Sequence, residues 1–426
     1  MLKTIQNQIN SFKGTFLSFS FREKIFILCA MLCGFFICAE YAIIRPVSNS
    51  LFIHAYSSNF FPYAWLAVIP LNLLIVSLYN HFLPKWGCAK MFLLTLSAIM
   101  GGNLFFALFI KQFHCLPFLF YVWKEVYILF MFQQLWSVIH TTIKMDQAKL
   151  LYGIFFGVGG IGSLFGSCFP GFFAVQVGSE QLLFLSLPVY LLLLVSYFFL
   201  VKFSGAGNIQ NELPQAQSMG FIHGVKLIAS SKFLLFIAAI VILMQMGSTI
   251  VDFQFNHFLE KSFTDKDVRT EYIAKTFSIV HICTILFQFI GTYMLLQVLK
   301  LKGSHFFVPL VFACNALTFL LSPVFGVLTF SFITIKAFDF SIFNVIKEML
   351  YIPLKPDEKF RAKAVIDVFA YRSSKALASF LILGLQFLFL PYLGSMLTWA
   401  VLGIYLFWIW IVLKYFKEHE IVLKKS

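Results

Sequence analysis

Eleven of the twenty-nine residues from Lys347 to Lys375 are Asp, Glu, Lys or Arg, in a chain where those types make up only 12%. The stretch reads KEMLYIPLKPDEKFRAKAVIDVFAYRSSK. Its middle, 355–363, has the composition of a polar loop. Its end carries Asp367, Arg372 and Lys375 into a long apolar segment. Ionisable groups at membrane depth are costly, so they line a protein-buried or watery path. Cations and acids in that setting suit contact with a charged, polyatomic solute crossing a membrane. Covalent chemistry has no comparable signal. The chain has no Walker A run, no GxSxG, no HExxH and no recognisable pair of catalytic carboxylates. An enzyme, an ATP-driven pump, a metal site or a cofactor is therefore not expected.

Other ionisable residues sit inside apolar sequence. Glu125 lies in FYVWKEVYILF beside Lys124, and Asp252 lies in GSTIVDFQFNHF. A deep acid needs a partner or a proton, so each is a candidate for substrate or cation binding; the bland alternative is a local ion pair. Asp339 has Lys336 three residues before it, a spacing that allows pairing along one helix. Lys347 and Glu348 head the charged stretch. Arg45 precedes Pro46, which should end or kink a helix. A guanidinium beside such a break can hold phosphate oxygens in bidentate fashion, or it can anchor the helix at the interface.

The elements that must position these groups follow from composition. Hydrophobic residues make up 60% of the 426 and the mean hydropathy is +0.87, well above a soluble domain. The apolar residues form twelve runs of about 20, the length of a bilayer-spanning helix. They lie near 24–44, 61–83, 91–110, 116–140, 150–177, 181–201, 233–257, 273–299, 306–325, 327–346, 364–390 and 393–413. The formal charge of +14 does not imply nucleic-acid binding, because the Lys and Arg residues gather in alternate loops, as the positive-inside rule requires. One set holds Arg22 and Lys24, Lys85 and Lys90, Lys144 and Lys149, Lys300 and Lys302, the 355–363 cluster and the C-terminal tail. Both termini are thus expected in the cytoplasm, and a bacterial inner membrane fits best. The first residues show no cleavable signal pattern. The eight cysteines fall mostly in apolar runs without CxxC spacing and read as small buried residues.

The longest polar interruption, 203–224, separates six runs from six. The expected organisation is an N-terminal half (1–202), a linker (203–226) and a C-terminal half (227–426). At an offset of about 212–214 residues Glu40 falls on Asp252, Glu125 on Asp339, and Gln147-Ala148-Lys149 on Arg361-Ala362-Lys363. Such internal repetition is common in transporter folds. The expected fold is an all-α membrane protein of twelve transmembrane helices in two six-helix halves, major-facilitator-like, with the substrate path between them. In the fifth run, Gly157-x-Gly159-x-x-Gly162 has dinucleotide-fingerprint spacing, but no strand precedes it. Glycines four apart (Gly153 and Gly157, Gly162 and Gly166) instead suit close helix packing.

The charged stretch carries a likeness. Lys347–Leu354 (KEMLYIPL), then Lys363–Val368 (KAVIDV), then Arg372–Lys375 (RSSK) resemble the signature of the non-mitochondrial ATP/ADP translocases, the nucleotide transporters of plastids and obligate intracellular bacteria. That signature is close to KEMAYIPL, an acidic and basic turn, KGKAAIDV and RLGKS. Glu125 with Ala148, Lys149 and Tyr152 is similar to the family's span-4 glutamate and its EAKRFYPLFG turn. The resemblance implies antiport of ATP for ADP and phosphate, or proton-coupled nucleotide import. It also implies functional roles for Glu125, Asp252, Lys347, Glu348, Asp367 and Lys375. The chain departs from the pattern after the first run, where LRDTKD is replaced by Ile44-Arg45-Pro46-Val47-Ser48-Asn49, and in the seventh, where a lysine position is Asn256. Two cationic positions are thus neutral, and the expected solute carries less negative charge than ATP.

The combined expectation is a nucleotide carrier in the lipid bilayer, working by alternating access. Arg45 and Lys375 would meet phosphate, and Glu125 and Asp252 would pair with those cations in the empty state or take up a proton. The alternatives are a carrier of a nucleoside, cofactor or phosphorylated sugar, and a non-transporting paralogue.

Overall fold

The computed structural model describes residues 19–143, 145–204, 228–352, 354 and 365–418. Nearly all of them are helical. In chain order the helices are α1 (Phe21–Tyr56), α2 (Ser58–Leu83) and α3 (Lys90–Phe109), α4 (Leu116–Thr142), α5 (Met145–Val177) and α6 (Ser179–Ser204). They continue with α7 (Lys232–Ser262), α8 (Lys266–Leu286), α9 (Thr292–Leu321), α10 (Phe325–Leu350), α11 (Tyr371–Phe389) and α12 (Leu393–Glu418). Apolar runs fold this way because a helix satisfies every backbone polar group within its own segment, which lipid cannot do for it. Large apolar side chains such as Phe172, Phe198, Phe380 and Phe387 stand exposed on the helices; in water such a surface would be an association patch.

Among the described residues, nine helices are long and apolar enough to cross a membrane. The other three expected runs, near 116–140, 273–299 and 364–390, coincide with α4, α8 and α11. There Lys124, Glu125 and two glutamines, or the charges Lys266–Lys275, or the polar start of α11, dilute the apolar composition. The structure is an all-α membrane protein, with spanning criteria met at nine places rather than twelve.

Two compact units form. One comprises 1–51, 70–213 and 266–278; the other comprises 52–69, 214–265 and 279–426. The expected linker, 203–226, lies outside the described residues apart from Phe203 and Ser204. In the first unit the start of α8 is tied down by Ser179 N donating to Asp267 Oδ1 (2.7 Å), by Ser50 Oγ donating to the Lys266 carbonyl (2.5 Å) and by a Lys266–Glu180 ion pair. In the second unit the turn after α1 is held by Glu260, which accepts from Ser58 N at 2.8 Å and also from the Ser58 hydroxyl.

Pro46 does not end α1. The helix continues to Tyr56, because burial of Val47, Leu51 and Phe52 outweighs the one hydrogen bond that proline removes. The helix breaks fall elsewhere. Gly87 separates α2 from α3 with φ 72° and ψ 164°. Lys300, at the offset that relates the two halves, interrupts α9 with φ 56° and ψ −177°. Nearly the same rare backbone state thus recurs at equivalent positions, in one case without glycine.

The glycine face of α5 packs as its spacing suggests, but only along part of its length. A Cβ at Gly162 or Gly166 would collide with the backbone oxygen of Phe35 or Ala39 on α1, and one at Gly159 would stand 3.1 Å from Cys38 Sγ. Gly153 faces open space.

Candidate functional site

In the first unit, α1 carries Glu40, which is fully buried. Its Oε1 accepts the hydroxyls of Tyr127 on α4 (2.7 Å) and Tyr190 on α6 (2.6 Å). Asn103 on α3 completes the cluster: its Nδ2 donates to Tyr190 Oη at 2.7 Å and its Oδ1 accepts from Trp123 Nε1 at 3.1 Å. Glu40 Oε2 has no partner.

One turn further along α4, Lys124 is also buried. Its Nζ lies 3.0 Å from Glu125 Oε1, donates to Asn49 Oδ1 at 3.2 Å and sits 4.2 Å from the centre of the Tyr121 ring. The Tyr41 hydroxyl donates to Glu125 at 3.4 Å. The bland reading of Glu125 as a local pair is therefore half right. The pair exists, but its lysine is withdrawn from solvent, where an unpaired ammonium would be strongly disfavoured. Asn49, where the resemblance expects an acid, is the neutral acceptor for that lysine. Arg45, half-buried on α1, has its guanidinium 3.9 Å from the Phe277 ring centre and 5.6 Å from that of Tyr41. An aromatic face holds a cation without neutralising it.

In the second unit, Asp252 on α7 meets Lys336 of α10 at 3.3 Å, and Lys336 also donates to Ser248 Oγ at 3.1 Å. Asn256 Nδ2 donates to the Asp252 carbonyl at 2.8 Å. Lys336 makes its close ion pair with Asp252, while Asp339 accepts from Gln245 Nε2 at 3.0 and 3.2 Å; Lys336 is still near enough to act on the Asp339 carboxyl electrostatically. Asp339 opens a π-helical turn, Asp339–Phe343. Single π turns recur at functional positions. A second one, Val365–Ala370, contains Asp367. The side chains of Asp367 and Arg372 lie outside the described residues. Lys347 and Glu348 stand 3.8 Å apart at the end of α10. Lys375 places its Nζ 5.3 Å from the Trp65 ring centre.

The sequence reading gave Arg45 and Lys375 the role of holding the acids, weighed Lys124 only as a local partner of Glu125, and missed Lys336 as the partner of Asp252. A signal was present. At the spacing that relates Glu40 to Asp252, Lys124 falls on Lys336, Asn103 on Asn315 and Tyr127 on Asp339. The first unit thus has a buried acid, Glu40, and the second a partly buried one, Asp252; each unit also has a buried lysine, Lys124 or Lys336, but only the second joins its acid to that lysine.

A family model, the TLC ATP/ADP transporter, matches residues 110–419. The chain belongs to the TLC ATP/ADP transporter family. The matched segment contains Glu125, Asp252 and the whole of Lys347–Lys375, and the family is one of transporters rather than enzymes. Among curated relatives, the ADP,ATP carrier protein 1 of Rickettsia typhi is 23% identical over 335 residues, and that of Rickettsia prowazekii is 22% identical. In both cases the match covers 68% of this chain and 66% of the relative. Among solved structures, a variant of the nucleoside transporter NupG superposes with a TM-score of 0.67 at 12% identity, covering 92% of this chain and all of that one. That likeness assigns the TLC member a major-facilitator-like fold. Each unit of this TLC protein thus holds a buried lysine paired with a carboxylate, Lys124 with Glu125 and Lys336 with Asp252.

Proposed function

We propose that the protein is a nucleotide carrier, moving ATP against ADP or importing nucleotide with protons by alternating access across a bacterial inner membrane, with both termini cytoplasmic. The observation that carries this reading is the family match over 110–419, which includes the charged stretch and both acid-bearing helices α4 and α7. The paired lysines support it. A phosphate arriving at Lys124 or Lys336 would take the place of Glu125 or Asp252, so neither ammonium is ever buried unpaired. Arg45, Lys347 and Lys375 add cationic donors suited to phosphate oxygens. Glu348, Asp367 and Arg372 remain candidate contacts at the ends of α10 and α11.

A second reading, a solute with fewer phosphates than ATP, rests on Ser48 and Asn256. Ser48 is buried with no partner for its hydroxyl, and Asn256 is turned toward Asp252. Neither supplies the positive charge that the family resemblance expects there. Uptake of a panel of labelled nucleoside mono-, di- and triphosphates by intact cells expressing the protein, at two pH values, separates the readings. Nucleotide carriage is rejected if none of the panel enters faster than in control cells.

A further inference from the structure

We infer that Glu40 is a proton-binding site: its carboxyl holds a proton in this conformation and exchanges it during the transport cycle. The two units differ at this position. Asp252, at the equivalent position of the second unit, has Lys336 at 3.3 Å. The equivalent lysine of the first unit, Lys124, is taken by Glu125 and Asn49. Glu40 makes no ion pair among the described residues, and every group that reaches it is neutral: the phenols of Tyr127 and Tyr190 and the amide of Asn103. A carboxylate with no exposed surface and no cation is strongly disfavoured.

The hydrogen-bond pattern points the same way. An ionised carboxylate is acceptor-only on both oxygens. Here Oε1 takes both tyrosine hydroxyls, as a carbonyl oxygen would, while Oε2 meets no donor at all. No donor therefore reaches Oε2 to compensate a charge on it. The facing titratable groups are Tyr127 on α4 and Tyr190 on α6, and Asn103 presents its amide from α3. The nearest charged group along α4, Lys124, is neutralised by its own partner. The proton thus takes the place in the first unit that Lys336 takes in the second.

Protonation of Glu40 is independent of what is carried, whereas its use in coupling rests on the carrier reading. The test keeps the two apart. Wild-type protein and Glu40→Gln, reconstituted in liposomes, are compared first by infrared spectroscopy at neutral pH without nucleotide. A deuterium-sensitive protonated-carboxyl band is expected in wild type and not in the variant. Because glutamine is the neutral isostere, the variant is expected to fold with an unchanged thermal midpoint. Identical spectra, or a variant that fails to fold, would overturn the proposal. Labelled ATP is then offered with and without an imposed pH gradient. Wild type is expected to accumulate more label with the gradient, and Glu40→Gln to equilibrate label to the same level in both conditions. A variant that responds to the gradient as wild type does overturns the coupling role. If wild type takes up no ATP, the carrier reading falls and the infrared result still decides the protonation of Glu40.

Discussion

Lys336 on α10 reaches across to Asp252 on α7 at 3.3 Å, although Asp339 lies closer in sequence on its own chain segment and is held instead by Gln245. This pair is largely withdrawn from solvent, with side-chain exposures of 10% and 17%. Removing one member leaves the other as an uncompensated charge. Asp252→Asn is expected to cost about 3 kcal/mol, the low end for a broken buried pair. The double variant Asp252→Asn/Lys336→Met is expected to recover most of that loss. Denaturant unfolding in detergent, arranged as a double-mutant cycle, gives both values; additive losses would deny the pair.

The α1–α5 contact makes a contrasting pair of expectations. Gly166→Ala forces a methyl into the Ala39 backbone oxygen and is expected to destabilise by about 1–3 kcal/mol, the usual cost of overpacking. Gly153→Ala, on the same helix but facing open space, is expected to be neutral or to gain up to about 1 kcal/mol from helix propensity. Thermal unfolding of the two variants side by side checks the difference.

Lys300 occupies a backbone state that side chains disfavour, while Gly87 occupies nearly the same state at the equivalent point of the other half. Lys300→Gly is expected to stabilise by about 1 kcal/mol, and Gly87→Ala to destabilise by about 1–3 kcal/mol. Opposite shifts in unfolding midpoint are the outcome to look for.

These contrasts show what was legible in sequence. The apolar runs could be read because bilayer thickness fixes their length, and the family stretch could be read because its residue order is local. The offset that matches Glu40 with Asp252 could be read directly from the residue order. What could not be read is which helices share a contact. A spacing of three suggested Lys336 with Asp339, but its close contact with Asp252 depends on the register of α7 against α10, which no local pattern announces. The Glu40 cluster likewise joins residues from four helices whose separations in sequence carry no signal. That α1 continues past Pro46 was hidden for the same reason, since it depends on the burial of Val47, Leu51 and Phe52. The side chains of Asp367 and Arg372, both called from sequence, stay outside the described residues.

Arg45 tests the phosphate reading apart from stability. Its guanidinium rests on Phe277, a stacking contact worth about 0.5–2 kcal/mol, and thermal unfolding of Arg45→Ala measures what its removal costs in stability. Uptake of labelled nucleotide is expected to fall by about tenfold or more, the equivalent of one charge-assisted hydrogen bond of about 1.5–3 kcal/mol. Arg45→Lys is expected to restore part of it. Initial uptake rates at matched expression give the comparison, and unchanged rates would remove Arg45 from the site.

Counterflow is the most direct measurement of nucleotide carriage. Purified protein is reconstituted into liposomes preloaded with unlabelled ADP, and labelled ATP is added outside. The expected result is transient accumulation of label that depends on the internal ADP and is lost in Lys124→Gln and Lys336→Gln. Folded wild-type protein that exchanges no nucleotide, from monophosphate to triphosphate, would contradict the account.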